Sequence, residues 1–392
     1  VKKPTLLTIF LIVFIDLVGF GLVLPVIPFL AETYHSTGWG IGLLFGVYSL
    51  MQFLLSPFWG GLSDRFGRRP IILASLAGSV ASYVIFTFAH SYEMILVSRI
   101  VAGICGANIG VATAYIADIT DHKNRAKGMG LIGAAFGIGF VLGPAVGFGL
   151  DFLGGIQAIG LGASLICLAN FILAVLILPE SLPVEKRKPK VAFHPMMFLS
   201  GWDRAVKSPA ILLILAISFL LNLTFTTWET TFALLVSDLP AFHYNEREYM
   251  PLLIYVGIIV AFIQGGAIGR LEKKFGEKSL LLTGAFLTGA SVILMPYAPG
   301  FITLLVLLFF WGVGMAFSRP IMSSLLSKEV QAEEQGGIQG VSQSVGSLTR
   351  ILAPLIGGYL FDVYASLPYF IIAGLSFVAL LMALAIKPRH SS

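Results

Sequence analysis

The chain has 392 residues, 57% of them hydrophobic and 11% charged, with a formal net charge of +5 and a mean hydropathy of +0.91. A chain this apolar cannot cover itself with the polar surface that folding in water requires, which excludes an ordinary water-soluble domain and places it in a lipid bilayer. The positive charge does not mark a nucleic-acid binder, because the basic residues fall in short connections between apolar runs, where they orient membrane spans.

Lys2 and Lys3 precede an apolar run over 6–30. Its length, the residues Asp16, Pro25 and Pro28 within it, and the lack of a small-residue cleavage site read as a first membrane span rather than a secretory leader. Further runs long enough to cross a hydrocarbon core, about 17 to 25 residues each, follow at 41–60, 71–90, 94–117, 128–150 and 157–178. Six more lie at 210–236, 251–270, 279–297, 301–326, 338–360 and 367–386. The expectation is an all-α membrane protein of twelve transmembrane helices in two pseudo-symmetric six-helix bundles, 1–179 and 209–392. The cytoplasmic linker 180–208 joins them and carries Pro183, Glu185-Lys186-Arg187-Lys188 and Lys190. Its later part, Met196-Met197-Phe198-Leu199 with Trp202, Arg204 and Lys207, is either a helix lying flat at the interface or an irregular loop.

Of the 25 Lys and Arg, three (Arg99, Arg319, Arg350) lie within spans and one (Arg247) on the outer face, which leaves 21 on the face shared by both termini and the even-numbered connections. Both termini are therefore expected in the cytoplasm, with the protein a multi-pass component of the cell (inner) membrane.

The decapeptide Gly60-Gly61-Leu62-Ser63-Asp64-Arg65-Phe66-Gly67-Arg68-Arg69 returns 209 positions later as Gly269-Arg270-Leu271-Glu272-Lys273-Lys274-Phe275-Gly276-Glu277-Lys278. Each copy sits between two long apolar runs, so the chain reads as a duplicated unit. The glycines permit a tight turn, and the charges concentrate at the cytoplasmic boundary. In the fifth span Gly133, Gly137, Gly139, Gly143 and Gly147 recur at intervals of two or four, giving a stripe for close helix packing, with Pro144 removing a backbone donor.

Charges at membrane depth cost about 2.5 to 3.5 kcal/mol each and need a partner, water or a function. Asp16 lies roughly 15 Å into the first span at 1.5 Å per residue, near the midplane, where desolvation favours the neutral carboxyl and suits a proton carrier. Gly19, Gly21, Pro25 and Pro28 follow and predict a broken or bent helix beside it. Glu229 occupies the corresponding span of the second half, among Phe225, Trp228 and Phe232. It is either a counter-charge or second proton site in an aromatic pocket, or a group at the water boundary with Trp228 as interfacial anchor. Arg99 and Arg350 are mid-span, and Arg319 lies nearer the cytoplasmic end of its span; each needs a carboxylate, carbonyls or an anionic ligand. Gln52, Asn108, Asn222, Gln264, Gln339 and Gln343 either face the same cavity or join helices.

The first hairpin, Gly61 to Arg69, resembles the signature of the major facilitator superfamily between spans two and three. Arg99 with Gly103, and Gly139-Phe140-Val141-Leu142-Gly143-Pro144-Ala145-Val146-Gly147, are similar to two further motifs, the latter to the antiporter signature of exporters, with Phe148 where that pattern has a second glycine. Gly19-Phe20-Gly21 and Pro25-Val26-Ile27-Pro28 after Asp16, with Tyr115-Ile116-Ala117-Asp118-Ile119-Thr120, look like the drug:proton antiporter branch that includes bacterial tetracycline exporters. In the second half the resemblance rests on the hairpin copy and the small residues around Pro354, Gly357 and Gly358. Spans three and nine hold no carboxylate, where tetracycline exporters carry acidic residues.

The resemblance implies proton-coupled export of hydrophobic or amphipathic compounds by alternating access. It also implies a cytoplasmic latch in which Asp64 faces the amino end of span eleven and Arg65 or Arg69 pairs with Asp118, and a role for Arg99 in proton coupling. A second expectation is a proton-coupled importer or facilitator of an anionic metabolite or lipid held by Arg350 or Arg319. The chain contains no phosphate loop, metal-ligand cluster or nucleophile elbow, so no bound nucleotide, cofactor, metal or enzymatic activity is expected. The expected partners are protons, a small-molecule substrate and the bilayer, with the protein a monomer.

Overall fold

The computed structural model describes residues 4–106, 108–187, 202–239, 241–330 and 335–386, with side chains at all of these except 108, 122–127, 204, 335 and 336. Every regular element among them is helical, as lipid demands, since a helix satisfies its own backbone donors and acceptors. The long helices are α1 Leu6–Val23, α2 Gly38–Phe66, α3 Arg68–Thr87, α4 Tyr92–Cys105, α5 Asn108–Ile119, α6 His122–Ile177, α7 Pro209–Asp238 and α8 Glu246–Phe262. They continue with α9 Ile268–Phe275, α10 Glu277–Leu294, α11 Phe301–Lys328, α12 Gln335–Val363 and α13 Leu367–Leu384. Side chains set several starts: Thr5, Ser91 and Ser208 accept from Thr8 N, Met94 N and Ile211 N at the first turns of α1, α4 and α7.

Among the described residues, eleven stretches are long and apolar enough to cross a membrane. One of them, Gly128–Ile177, has 50 residues, about 75 Å at 1.5 Å per residue, more than twice a ~30 Å hydrocarbon core. It is interrupted where Gly154 (φ 172°, ψ 28°) and Gly155 (φ 62°, ψ −149°) leave helical dihedrals. Gly155 takes a left-handed conformation that side chains disfavour, and α6 counts as two crossings. The total is the expected twelve.

Two compact units form, each with its own core. The first comprises Val1–Ser36, Val47–His194 and Glu246–Ile254; the second comprises Thr37–Gly46, Pro195–Asn245 and Tyr255–Ser392. In the first, Ile9, Ile12 and Leu17 of α1 bury against Ile72 and Leu76 of α3, Tyr115 of α5 and Ala174 of α6. In the second, Ile214, Ile217 and Leu221 of α7 join Leu281 of α10, Phe317 of α11, Val341 of α12 and Ala379 of α13. The linker segment 196–199 lies outside the described residues, and Trp202–Lys207 forms a six-residue helix.

Two expectations need correction. First, α1 runs as regular helix through Asp16 to Val23, and the irregular turn, a 3-10 segment at Leu24–Val26 containing Pro25, comes later. Gly19 and Gly21 serve packing instead of breaking the helix. A Cβ on Gly21 would stand 2.7 Å from the Gly139 carbonyl oxygen and 3.2 Å from Gly143 Cα, and one on Gly19 would stand 2.7 Å from Cys167 Sγ. Second, only part of the glycine stripe is used. Gly139 and Gly143 lie against α1, and Gly147 meets Leu22 and Met250, whereas Gly133 and Gly137 have no neighbour within 4 Å of a built Cβ. The spacing of four among 139, 143 and 147 keeps these three on one helix face.

Gly21→Val should therefore cost about 1–3 kcal/mol by overpacking and lower the thermal unfolding midpoint in detergent, while Gly133→Ala leaves the midpoint unchanged or slightly raised. Equal effects would refute the packing assignment.

Candidate functional site

At the turn between α2 and α3 of the first unit, Gly67 adopts φ 104° and α3 begins at Arg68. The turn aims Arg68 back across the end of α2, where its Nη1 donates to Asp64 Oδ1 at 2.6 Å and to Ser63 Oγ at 2.6 Å, and its Nε donates to Asp118 Oδ2 at 3.1 Å. The Arg68 side chain is 9% exposed, against 25% for Asp64 and 21% for Asp118. The arginine that reaches Asp118 is thus Arg68 and not the expected Arg65 or Arg69. Arg65 is exposed, with its guanidinium 5.0 Å from the Phe66 ring, and Arg69 points to the Val175 carbonyl at 2.8 Å.

Glu180, a residue sequence reasoning passed over, completes this hub. Its Oε1 accepts from Arg68 N at 2.8 Å and Leu182 N at 3.0 Å, and its Oε2 from Arg69 N at 3.2 Å. A carboxylate there satisfies the free amides of α3 and complements its dipole. Ser181 Oγ donates to Asp118 Oδ2 at 3.0 Å, and Tyr115 OH to the Pro179 carbonyl at 2.9 Å.

The duplicated hairpin reproduces this geometry in the second unit. Gly276 takes φ 78°, ψ 154°, beside φ 104°, ψ 160° at Gly67. Lys278 Nζ donates to the Leu384 carbonyl at 2.7 Å as Arg69 does to Val175, and both partners are displaced by the same 209 positions. The charge is inverted one residue earlier. Where the first unit has Arg68 held by carboxylates, the second has Glu277, which accepts from Ser324 and pairs with Lys328 Nζ at 2.8 Å.

The opposite ends of the helices carry two contacts that sequence reading also missed. In the second unit both oxygens of Asp362, in the last turn of α12, cap the start of α2: Oδ1 accepts from Gly38 N at 2.6 Å and Oδ2 from Trp39 N at 2.8 Å. Gly358, from the small-residue stretch, lies against Gly38 here, and Gly357 against Thr227. In the first unit Arg247 Nε donates to Asp151 Oδ2 at 2.6 Å, and Asp151 is 2% exposed. Arg247 carried a signal, being the sole basic residue assigned to the outer face, but its partner is 96 positions distant.

At membrane depth in the first unit, Asp16 is partly buried and Arg99 is 2% exposed. Arg99 donates to Ser98 Oγ at 3.0 Å and packs against the rings of Phe86 and Tyr83 at 5.4 and 5.9 Å. Tyr83, 4% exposed, stands close enough to both Asp16 and Arg99 to feel each charge. In the second unit Trp228 stacks between Trp311 at 3.6 Å and Phe232 at 4.6 Å, and its Nε1 donates to Met295 Sδ at 3.2 Å. At 3% exposure Trp228 is packed inside the unit instead of anchoring at an interface, and Phe232 is fully buried. Glu229 is partly buried beside this stack, while Arg319, Arg350 and Gln343 are exposed. Gln264, also exposed, sits in a π-helical turn Ile263–Ala267 and donates to the Ala316 carbonyl at 3.3 Å. The Asn108 side chain lies outside the described residues.

A duplicated helical unit with this turn in both copies meets a family model, Major Facilitator Superfamily, over residues 9–277 and 265–392. The chain belongs to that superfamily. Among its relatives, tetracycline resistance protein class C of Escherichia coli is 36% identical over 349 residues, 87% of this chain and 86% of that one. Multidrug resistance protein 2 of Bacillus subtilis (strain 168) is 32% identical over 98% of this chain and 96% of its own. The crystal structure of the human organic anion transporter MFSD10 (TETRAN) superposes with a TM-score of 0.73 over 97% of this chain and all of that one, at 24% identity, which speaks to the shared superfamily fold.

Within this superfamily fold the hub is the most heavily bonded charged cluster described above, and its removal is measurable. Arg68→Gln should lower stability by about 2–3 kcal/mol, below the range for a fully buried pair because both carboxylates keep some solvent; Arg65→Gln should change it by less than about 0.5 kcal/mol. Thermal unfolding of the purified proteins separates the two, and equal shifts would contradict the Arg68 assignment. Asp362→Ala should cost about 0.5–1 kcal/mol, the low end for a lost helix cap at an exposed site, with Asp362→Asn retaining part of the loss; no change in the alanine variant would remove the cap from consideration.

Proposed function

We propose that the chain is a secondary active exporter of hydrophobic or amphipathic compounds, driven by protons entering through the first unit and working by alternating access. The observation that carries this reading is the arrangement around Asp16: a carboxylate midway along a membrane helix, with Tyr83 near both it and the deeply buried Arg99. A carboxylate held at that depth exchanges a proton more cheaply than it carries a fixed charge. Arg99, with its Nε lacking a hydrogen-bond partner, supplies a fixed positive field that Tyr83 can relay. The relatives named for tetracycline and multidrug resistance favour the same direction of transport and an apolar cargo.

In this reading the Arg68 hub, with Gly61, Asp64, Gly67 and Asp118, governs the cytoplasmic gate, and the α1–α6 glycine contact with Pro144 bends during alternation. The protein acts as a monomer in the cell's inner membrane with both termini in the cytoplasm, as its basic residues are distributed. Phe225, the partly buried ring stacked on Trp311 at the edge of the buried aromatic stack, receives the apolar part of the cargo, with Glu229 on the same helix.

Everted membrane vesicles with an acid interior test the proton site. Wild-type protein should accumulate an apolar fluorescent dye, and Asp16→Asn should reduce pH-driven accumulation at least tenfold while equilibrium dye binding persists. Undiminished pH-driven accumulation in Asp16→Asn would end the assignment.

A further inference from the structure

The second unit holds an excess of positive charge at membrane depth. Arg319 on α11 and Arg350 on α12 lie inside apolar spans yet are exposed, and neither forms an ion pair among the described residues. Glu229 on α7 is close enough to feel both guanidinium groups. It too forms no ion pair among the described residues, and two fixed cations near one carboxylate leave a positive balance. Guanidinium stays charged at any physiological pH, and its planar fork matches an anionic group with two oxygens.

The surroundings define what carries that group. The Arg319 guanidinium lies 4.7 Å from the centroid of Phe225, and Phe225 stacks at 6.0 Å and 16° on Trp311, which stacks in turn on Trp228. Phe225 is only partly buried, while Trp311 and Trp228 are buried behind it, so Phe225 is the available face of a rigid aromatic slab. Gln343, two helical turns before Arg350 on the same face of α12, is also exposed and offers both a donor and an acceptor. A fork of positive charge beside an aromatic face complements a molecule with an acidic end and a flat apolar body.

We propose that this cluster in the second unit binds amphipathic aromatic anions, with Arg319 and Arg350 gripping the carboxylate or sulfonate and Phe225 taking the ring system. That such anions are cargo rests on the exporter reading; that they bind here does not.

The test uses full-length protein in discs of phosphatidylcholine alone, so that no anionic headgroup competes, with 1-pyrenebutyrate and its uncharged primary amide as probes. Energy transfer from tryptophan to pyrene reports binding. The wild type should bind the butyrate at least tenfold more tightly than the amide. Arg319→Gln and Arg350→Gln should each remove most of that preference with amide affinity held within twofold, and Arg350→Lys should restore part of it. Equal affinity of the wild type for the two probes overturns the proposal without recourse to any variant, as does a preference that survives both glutamine substitutions. Proteoliposomes separate the two readings: charge-selective binding with no pH-driven flux of any probe removes export and leaves the site. Flux of a neutral dye with no charge selectivity removes the site and leaves export.

Discussion

The turn at Gly67 and the arginine that follows it set the organisation of the first unit. A left-handed glycine ends α2 and starts α3 within one residue, which leaves the first amides of α3 and the side chain of Arg68 facing the same small volume. Ser63 and Asp64 from α2, Asp118 from α5 and Glu180 from beyond α6 all converge there. Each of these groups needs the others, since an arginine this buried without its carboxylates, or a helix start without an acceptor, costs more than lipid-facing packing returns.

The second unit shows that the backbone device and the charge pattern are separable. Its glycine, its left-handed dihedral and its basic residue on a distant carbonyl all recur at the same displacement. The residue after the glycine is Glu277 where the first unit has Arg68, and its partners are Lys328 and Ser324 where those of Arg68 are acidic. Duplication preserved the turn because helix geometry admits few alternatives to glycine there, while the ion pairs were free to reverse as long as each remained compensated. The same division runs through the membrane interior: the first unit places one carboxylate and one arginine near Tyr83, and the second places two arginines near one carboxylate without an ion pair among the described residues.

Helix packing follows from residue size more than from motif. Gly143 works because Gly21 opposes it, while Gly139 lies against the backbone and Cβ of Leu17, so the two helices approach closely where at least one of them lacks a side chain. Gly133 and Gly137 belong to the same sequence pattern, yet a Cβ added at either would meet nothing within 4 Å. The periodicity was visible in the sequence; which members of it meet a partner was not, because that depends on where α1 crosses α6.

By itself the sequence determined the all-helical fold, the twelve crossings and the duplication, because hydropathy and turn-forming glycines act over one or two helical turns and are legible locally. It also picked out Asp16, Arg99, Glu229, Arg319 and Arg350, since a charge within an apolar run stands out whatever surrounds it. Only the tertiary structure decided which groups those charges meet. That Arg68 and not its neighbours takes Asp118, that Glu180 and Asp362 cap helices remote in the chain, and that Phe225 lies under Arg319 are facts of crossing angles and side-chain direction. Such contacts join residues dozens to hundreds of positions apart, and no local pattern encodes them.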